Sequence, residues 1–282
     1  MEMAAPLARL LLYGGTMLAM GQGTRTMLAG RAPARASGPS PAVRGALWCG
    51  ACALLVAPLL LLWLQRQALE LPLAELPALL RDTTWGRGWL QLTIPCVLSA
   101  LLLPPRRTGT TSRLLVWAAL GVSVTMGGLG HAAADAQWPL ASRLLDALHV
   151  AGAGAWIGAL LLMLLAGAPV PEPTGADRHG EWPAFSQMAT VVAPLVFLSG
   201  VGSAWLRVGA SGPAEILASD YGRLLALKLL MALLVVALGA TQRRRLHAGA
   251  APRRQVVLVE LCLAVVVFTA TAWLTGLEPP GA

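Results

Sequence analysis

Two residues three apart, Asp146 and His149, interrupt the apolar stretch RLLDALHVAGAGAWIG at 143–158. On a helix that spacing sets a carboxylate and an imidazole on one face, one turn from each other. A second imidazole, His131, closes the preceding apolar run in GGLGHAAAD, and Met126 lies five residues before it. The chain has four histidines, so two of them converging beside a carboxylate is informative. Neutral imidazoles with a carboxylate are competent ligands for Cu(II), and imidazole with thioether suits Cu(I). Met126, or Met17 or Met20 near the N-terminus, could supply the thioether. An Asp at the centre of a membrane helix costs about 2.5–3.5 kcal/mol on insertion scales, so such groups face the bundle interior and bind or pair there. The plainer alternatives are an Asp146–Arg143 pair at i−3 and a His131 that caps a helix in interfacial water.

The elements that must position these residues are apolar helices. Of 282 residues 56% are hydrophobic and 12% charged, with a mean hydropathy of +0.67, whereas soluble domains carry roughly 25% charged residues. Apolar runs close to the length needed to cross a bilayer recur along the chain. The expected fold is an all-α integral membrane protein, a bundle of about eight transmembrane helices. Their approximate spans are 7–24, 46–64, 88–103, 114–134, 143–166, 186–206, 222–240 and 255–276. The first could be read as a signal peptide, but an internal match argues that it is a retained helix.

That match appears when the chain is slid against itself by 136 residues. VAPL at 56–59 falls on VAPL at 192–195, Pro77-Ala78 on Pro213-Ala214, and Trp85-Gly86-Arg87 on Tyr221-Gly222-Arg223. The reading is two four-helix halves, 1–141 and 142–282, with Tyr13 opposite His149 and poorer correspondence at the fourth and eighth helices.

The net charge of +8 comes from 21 basic residues, of which 20 are arginine. Most lie in short connections, without the basic and aromatic face of a nucleic-acid binder, so no nucleic-acid partner is expected. Arginines crowd the first, third and seventh loops (Arg25 to Arg44, Arg106 to Arg113, Arg243 to Arg254). The positive-inside rule makes these cytoplasmic and both termini periplasmic. The fifth loop, with one arginine and three acids, runs against the pattern. His131, Asp146 and His149 then gather at the outer side.

Other candidates are weaker. WCGAC at 48–52 has redox-pair spacing but opens an apolar helix, unlike a reactive cysteine pair on a soluble scaffold. Cys96 and Cys262 read as small hydrophobes, and no disulfide framework is expected. Lys228 is expected to snorkel outward or pair with an acid. Glu260 is expected to pair with Arg253 or Arg254, or to sit on an exit path. His179 and His247 fall in polar loops, and Met163, Met188 and Met231 on separate helices, with packing as their role.

Taken together, GHAAA at 130–134, DALHVAGAGAWIGALL at 146–161, FSQMATVVAPLVFLSGVGSAWLRVG at 185–209, DYGRLLALKLLMALLVVALGATQRRRL at 220–246 and RRQVVLVELCLA at 253–264 resemble the copper resistance protein D (CopD) family of bacterial inner-membrane proteins. The resemblance covers about the second half of the chain. It implies an eight-helix bundle that handles copper, moving it from periplasm towards cytoplasm, often beside a periplasmic copper-binding partner of the CopC type. It carries metal handling onto His131, Asp146 and His149, and bundle shaping onto Trp156 and Tyr221. No fused β-sandwich domain is visible, so such a partner is expected as a separate chain.

The expectation is a copper-homeostasis or copper-resistance membrane protein, not an enzyme, with metal ligands among His131, Asp146, His149 and Met126. No Gly-x-x-x-x-Gly-Lys phosphate loop occurs, so ATP is not the driver. Two alternatives stay open: a b-type cytochrome with His131 and His149 as axial haem ligands, and a scaffold delivering copper to another membrane complex.

Overall fold

The structure is a computed structural model that describes residues 3–29, 39–104, 109–127, 138–167, 181–208 and 212–277. Helices dominate: α1 (Ala4–Ala29), α2 (Pro41–Ala68), the short α3 (Leu76–Asp82), α4 (Thr84–Leu102), α5 (Gly109–Met126), α6 (Pro139–Leu165), α7 (Glu181–Val208), the short α8 (Pro213–Ala218), α9 (Asp220–His247) and α10 (Arg254–Leu274). There is no strand among the described residues. A long helix overlaps each expected span, the part of the fourth from 128 to 134 lying outside the described residues. Five of them, α2, α6, α7, α9 and α10, are long and apolar enough to cross a membrane. Large apolar side chains point outward, with Trp205 76% and Trp117 72% exposed. An apolar exterior of this extent suits lipid as solvent and would be a liability in water.

Contacts between helix ends order the bundle. At one end, Ser40 before α2 donates from its hydroxyl to the Leu165 carbonyl at the close of α6 (3.0 Å). There too Arg25 at the close of α1 meets Glu181 at the start of α7 (3.5 Å). Gln242 of α9 also exchanges hydrogen bonds with the backbone of Arg253 before α10 (2.8 and 3.2 Å). At the opposite end Arg9 of α1 reaches the Ala272 carbonyl of α10 (3.4 Å). α1, α6 and α9 therefore run one way, and α2, α7 and α10 the other.

Two apolar cores result. One is built mainly from α1, α2, α4 and α5, around Leu12, Leu47, Leu54, Leu92, Leu115 and Val122, with Leu162 of α6. The other is built mainly from α6, α7, α9 and α10, around Trp156, Met163, Phe185, Val235, Val257 and Leu261. α1 contributes to both, through Leu12 to the first and Leu28 to the second.

The junction between α1 and α6 has a specific cause. Gly154–Gly158 forms a π turn within α6, a Gly-x-x-x-Gly spacing that lets helix backbones touch. A Cβ on Gly158 would stand 2.1 Å from the Met17 carbonyl oxygen, and one on Gly21 would stand 2.2 Å from the Gly158 carbonyl carbon. Only glycine fits at either position, and the contact places Tyr13 and Met17 beside the polar face of α6.

The segments aligned by the 136-residue offset are built alike locally. Thr83 caps α4 by accepting from the Gly86 amide (2.9 Å), and Ser219 caps α9 by accepting from the Gly222 amide (3.0 Å). Each follows a short helix, and Arg87 and Arg223 both reach a carbonyl six residues back at 3.4 Å.

Candidate functional site

Within the bundle α1, α5, α6, α7, α9 and α10 enclose a cavity of about 200 Å³. Its ionisable groups are Tyr13, Asp146, His149, Arg207, Tyr221 and Lys228, joined by the hydroxyls of Ser123, Ser203, Thr271 and Thr275. Its thioethers are Met17 and Met126. The rest of the wall is apolar, including Trp156, Phe197 and Phe268. A mostly apolar pocket with a few convergent polar groups between helices is the usual form of a binding site.

His149 is held by α7. Its Nδ1 lies 2.8 Å from the Val196 carbonyl oxygen, with the Ser199 hydroxyl at 3.5 Å. A carbonyl only accepts, so Nδ1 carries the proton and donates, which leaves Nε2 as the atom with a free lone pair. A metal-binding imidazole is commonly oriented this way, with its far nitrogen tied to a backbone carbonyl. The ring fits against α7 because residue 200 is glycine: a Cβ there would come 2.8 Å from His149 Cε1 and 3.0 Å from Nδ1.

Asp146 does not pair with Arg143, the partner three residues away in sequence. Its Oδ2 accepts a short charge-assisted bond from Arg207 Nη2, and its Oδ1 accepts from the Ser203 hydroxyl at 2.9 Å. Both partners come from α7, so this cluster and the His149 anchor fix the α6–α7 face together. Arg207 Nε, also buried, has no hydrogen-bond partner among the described residues.

Asp146, His149 and Met126 thus meet in one cavity, whereas His131 lies outside the described residues. Among the described residues no group of three His, Cys, Asp or Glu side chains could hold a metal ion. Trp156 and Tyr221, 6% and 5% exposed, are walls of the same cavity, as is Tyr13, the residue the offset sets opposite His149.

Other expectations need correction. Glu260 is buried at 2% exposure and pairs with neither Arg253 nor Arg254; it packs instead against Gly239 of α9, beside Trp156. Lys228 lines the cavity, within electrostatic reach of Asp146 and Arg207, and forms no ion pair with a described residue. The four cysteines are free, and His247 is exposed beside Arg243 Nε at 3.3 Å. His179 lies outside the described residues.

Arg207 and Ser203 received no role from sequence, yet one signal marked the first. An arginine inside the apolar run SGVGSAWLRVG meets the same criterion that singled out Asp146.

The family model described as Copper resistance protein D matches residues 181–274, which span α7 to α10. A curated relative, Copper resistance protein D of Pseudomonas syringae pv. tomato, is 30% identical over 241 residues, covering 77% of this chain and 74% of the relative. The chain belongs to the copper resistance protein D family. It is a membrane protein related to copper resistance, and the family is not one of enzymes. No solved structure matches it. The family-matched stretch supplies Val196, Gly200, Ser203, Arg207 and Lys228, groups that hold His149 and Asp146 or line the same cavity.

Proposed function

We propose that this chain receives copper at the outer mouth of the bundle and moves it towards the cytoplasm through the cavity. The observation that carries this reading is His149: Nδ1 is committed to the Val196 carbonyl, and the remaining lone pair belongs to a residue lining a cavity that also holds two thioethers. Imidazole with thioether suits Cu(I). His149, Met126 and Met17 supply ligands in this reading, with His131 as a further ligand to be tested. Asp146 takes part by exchanging Arg207 for the incoming ion.

In this reading α1, α4 and α5 cross the membrane along with the five strongly apolar helices, giving eight spans in two halves, 1–141 and 142–282. The matching caps and short helices before α4 and α9 support descent of both halves from one unit. The end carrying Arg25, Arg44, Arg243 to Arg245, Arg253 and Arg254 faces the cytoplasm by the positive-inside rule, so Asp146 and Arg207 open to the periplasm of an inner-membrane protein. A separate periplasmic copper-binding protein of the CopC type is the fitting donor.

Metal analysis of purified wild type, His131→Ala and His149→Ala, set beside cellular copper accumulation, tests the reading. Loss of bound copper and of accumulation in His149→Ala is expected. Unchanged values in both variants, at wild-type expression, refute it.

A further inference from the structure

The charges around the cavity do not balance for a cation. Asp146 is the one carboxylate in its described wall and is already neutralised by Arg207, while Lys228 adds a second positive group without an ion-pair partner among the described residues. A copper ion entering this apolar space raises an existing positive excess where charges interact more strongly than in water. Some group nearby must take up negative charge.

Glu260 is placed to do so. On α10 it lies one turn towards the cytoplasmic end from Ala264, which lines the cavity floor. Across from it on α9 is Gly239, where a Cβ would stand 3.4 Å from Glu260 Oε1 and 3.6 Å from Trp156 Cζ2. The carboxyl therefore sits beside the Trp156 ring that walls the cavity, just beyond its floor. It is 2% exposed and has no ion-pair or hydrogen-bond partner among the described residues.

The groups facing it are few. α6 presents Trp156 and α9 presents Gly239. Charged groups on the helices packed here include Lys228, three turns outward on α9, Arg243, Arg244, Arg245, Arg253 and Arg254 at the inner ends of α9 and α10, and Arg25 of α1, which meets Glu181. None of them pairs with it. One turn inward from Gly239 on the same helix, Gln242 is 7% exposed and bonded to the backbone of Arg253.

We infer that Glu260 is a proton-binding site that compensates the charge of a cation loaded into the cavity, releasing its proton towards the cytoplasmic side as the ion enters. The inference rests on the copper reading of the cavity. A single carboxyl among apolar neighbours cannot complete a copper coordination sphere, which needs several donors, whereas a proton needs one lone pair. In the step only the Glu260 O–H bond breaks. Its electron pair stays on the carboxylate, the proton passes by Gln242 to the inner solution, and nothing is oxidised or reduced. When the ion departs, the carboxylate recovers a proton.

Copper titration of the purified full-length protein, followed by a pH-indicator dye in weak buffer and by infrared difference spectroscopy of the carboxyl region, tests this. Wild type should release roughly one proton per ion bound and lose a protonated-carboxyl band. Glu260→Gln should bind copper with the release and the band change both abolished, and Glu260→Asp should restore them, which separates loss of the proton from misfolding. Copper binding without any carboxyl-band change in wild type, or an unchanged band in Glu260→Gln, overturns the inference and leaves the copper reading standing. Absence of copper binding in wild type overturns both.

Discussion

Gly200→Ala puts the account of His149 to its sharpest test, because it alters no ionisable group and no candidate ligand. The added methyl would stand 2.8 Å from His149 Cε1 and 3.0 Å from Nδ1, inside ordinary contact distance on both atoms. The imidazole has to swing away from α7, and the 2.8 Å bond from Nδ1 to the Val196 carbonyl is the contact it gives up. Loss of such an orienting bond to a ligand lowers metal affinity about 10- to 100-fold, which is about 1.4–2.8 kcal/mol. The fold should lose less, about 1–3 kcal/mol for one crowding methyl, and remain assembled in detergent. Gly202→Ala is the matched control. It lies half a turn away on the same helix, but its methyl meets Leu145 Cδ1 and Cδ2 at 3.2 and 3.4 Å, flexible ends that can move. Competition with a chromophoric copper chelator measures both variants. If Gly200→Ala binds copper within about twofold of wild type, the tethered-imidazole argument is refuted; if Gly202→Ala loses as much, the effect belongs to α7 and not to the ring.

Three further outcomes follow from the geometry. Gly158→Ala, whose Cβ would lie 2.1 Å from the Met17 carbonyl oxygen, should force α1 away from α6 and cost about 1–3 kcal/mol or more, read as a lower melting temperature in detergent. Asp146→Asn should leave the Arg207 guanidinium without its counter-charge and destabilise the fold by about 1–3 kcal/mol, with Asp146→Asn/Arg207→Met recovering part of the loss; equal stabilities for both variants would sink the pairing argument. Lys228→Met should tighten copper binding roughly tenfold, since a positive charge lining the same cavity opposes a cation by on the order of 1–2 kcal/mol at an effective dielectric of about 20. Weaker binding in that variant would mean that the lysine helps to hold the cargo.

The helices were legible because hydropathy and chain length act locally. The caps at Thr83 and Ser219 could be aligned for the same reason, since each is a hydroxyl followed three residues later by glycine. The partners of the polar residues were not legible. Arg143 is the nearest cation to Asp146 along its own helix, yet Arg207, 61 residues on, takes the carboxylate, a choice set by how α6 meets α7. Likewise Arg253 and Arg254 are near Glu260 in sequence, but Gln242 holds the Arg253 backbone and the carboxyl is left alone against Gly239. Lys228 was expected to snorkel outward or pair with an acid and instead faces the cavity without an ion pair to a described residue, because Tyr221, Leu225, Ala232 and Val236 of the same helix face all turn to the cavity. Side-chain spacing located the ionisable groups, and tertiary crossing decided what each one touches.

The glycine contact between α1 and α6 bears on how such a protein can vary. Tyr13 and Met17 reach the cavity only because Gly21 and Gly158 let the two backbones touch, so the first helix is a wall of a site whose other groups mostly lie more than a hundred residues later. A chimera that grafts the first helix of a relative onto this chain would therefore work only if the graft brings a residue as small as glycine at position 21. Drift at one side of that seam has to be answered at the other, which ties the start of the chain to the chemistry of its end.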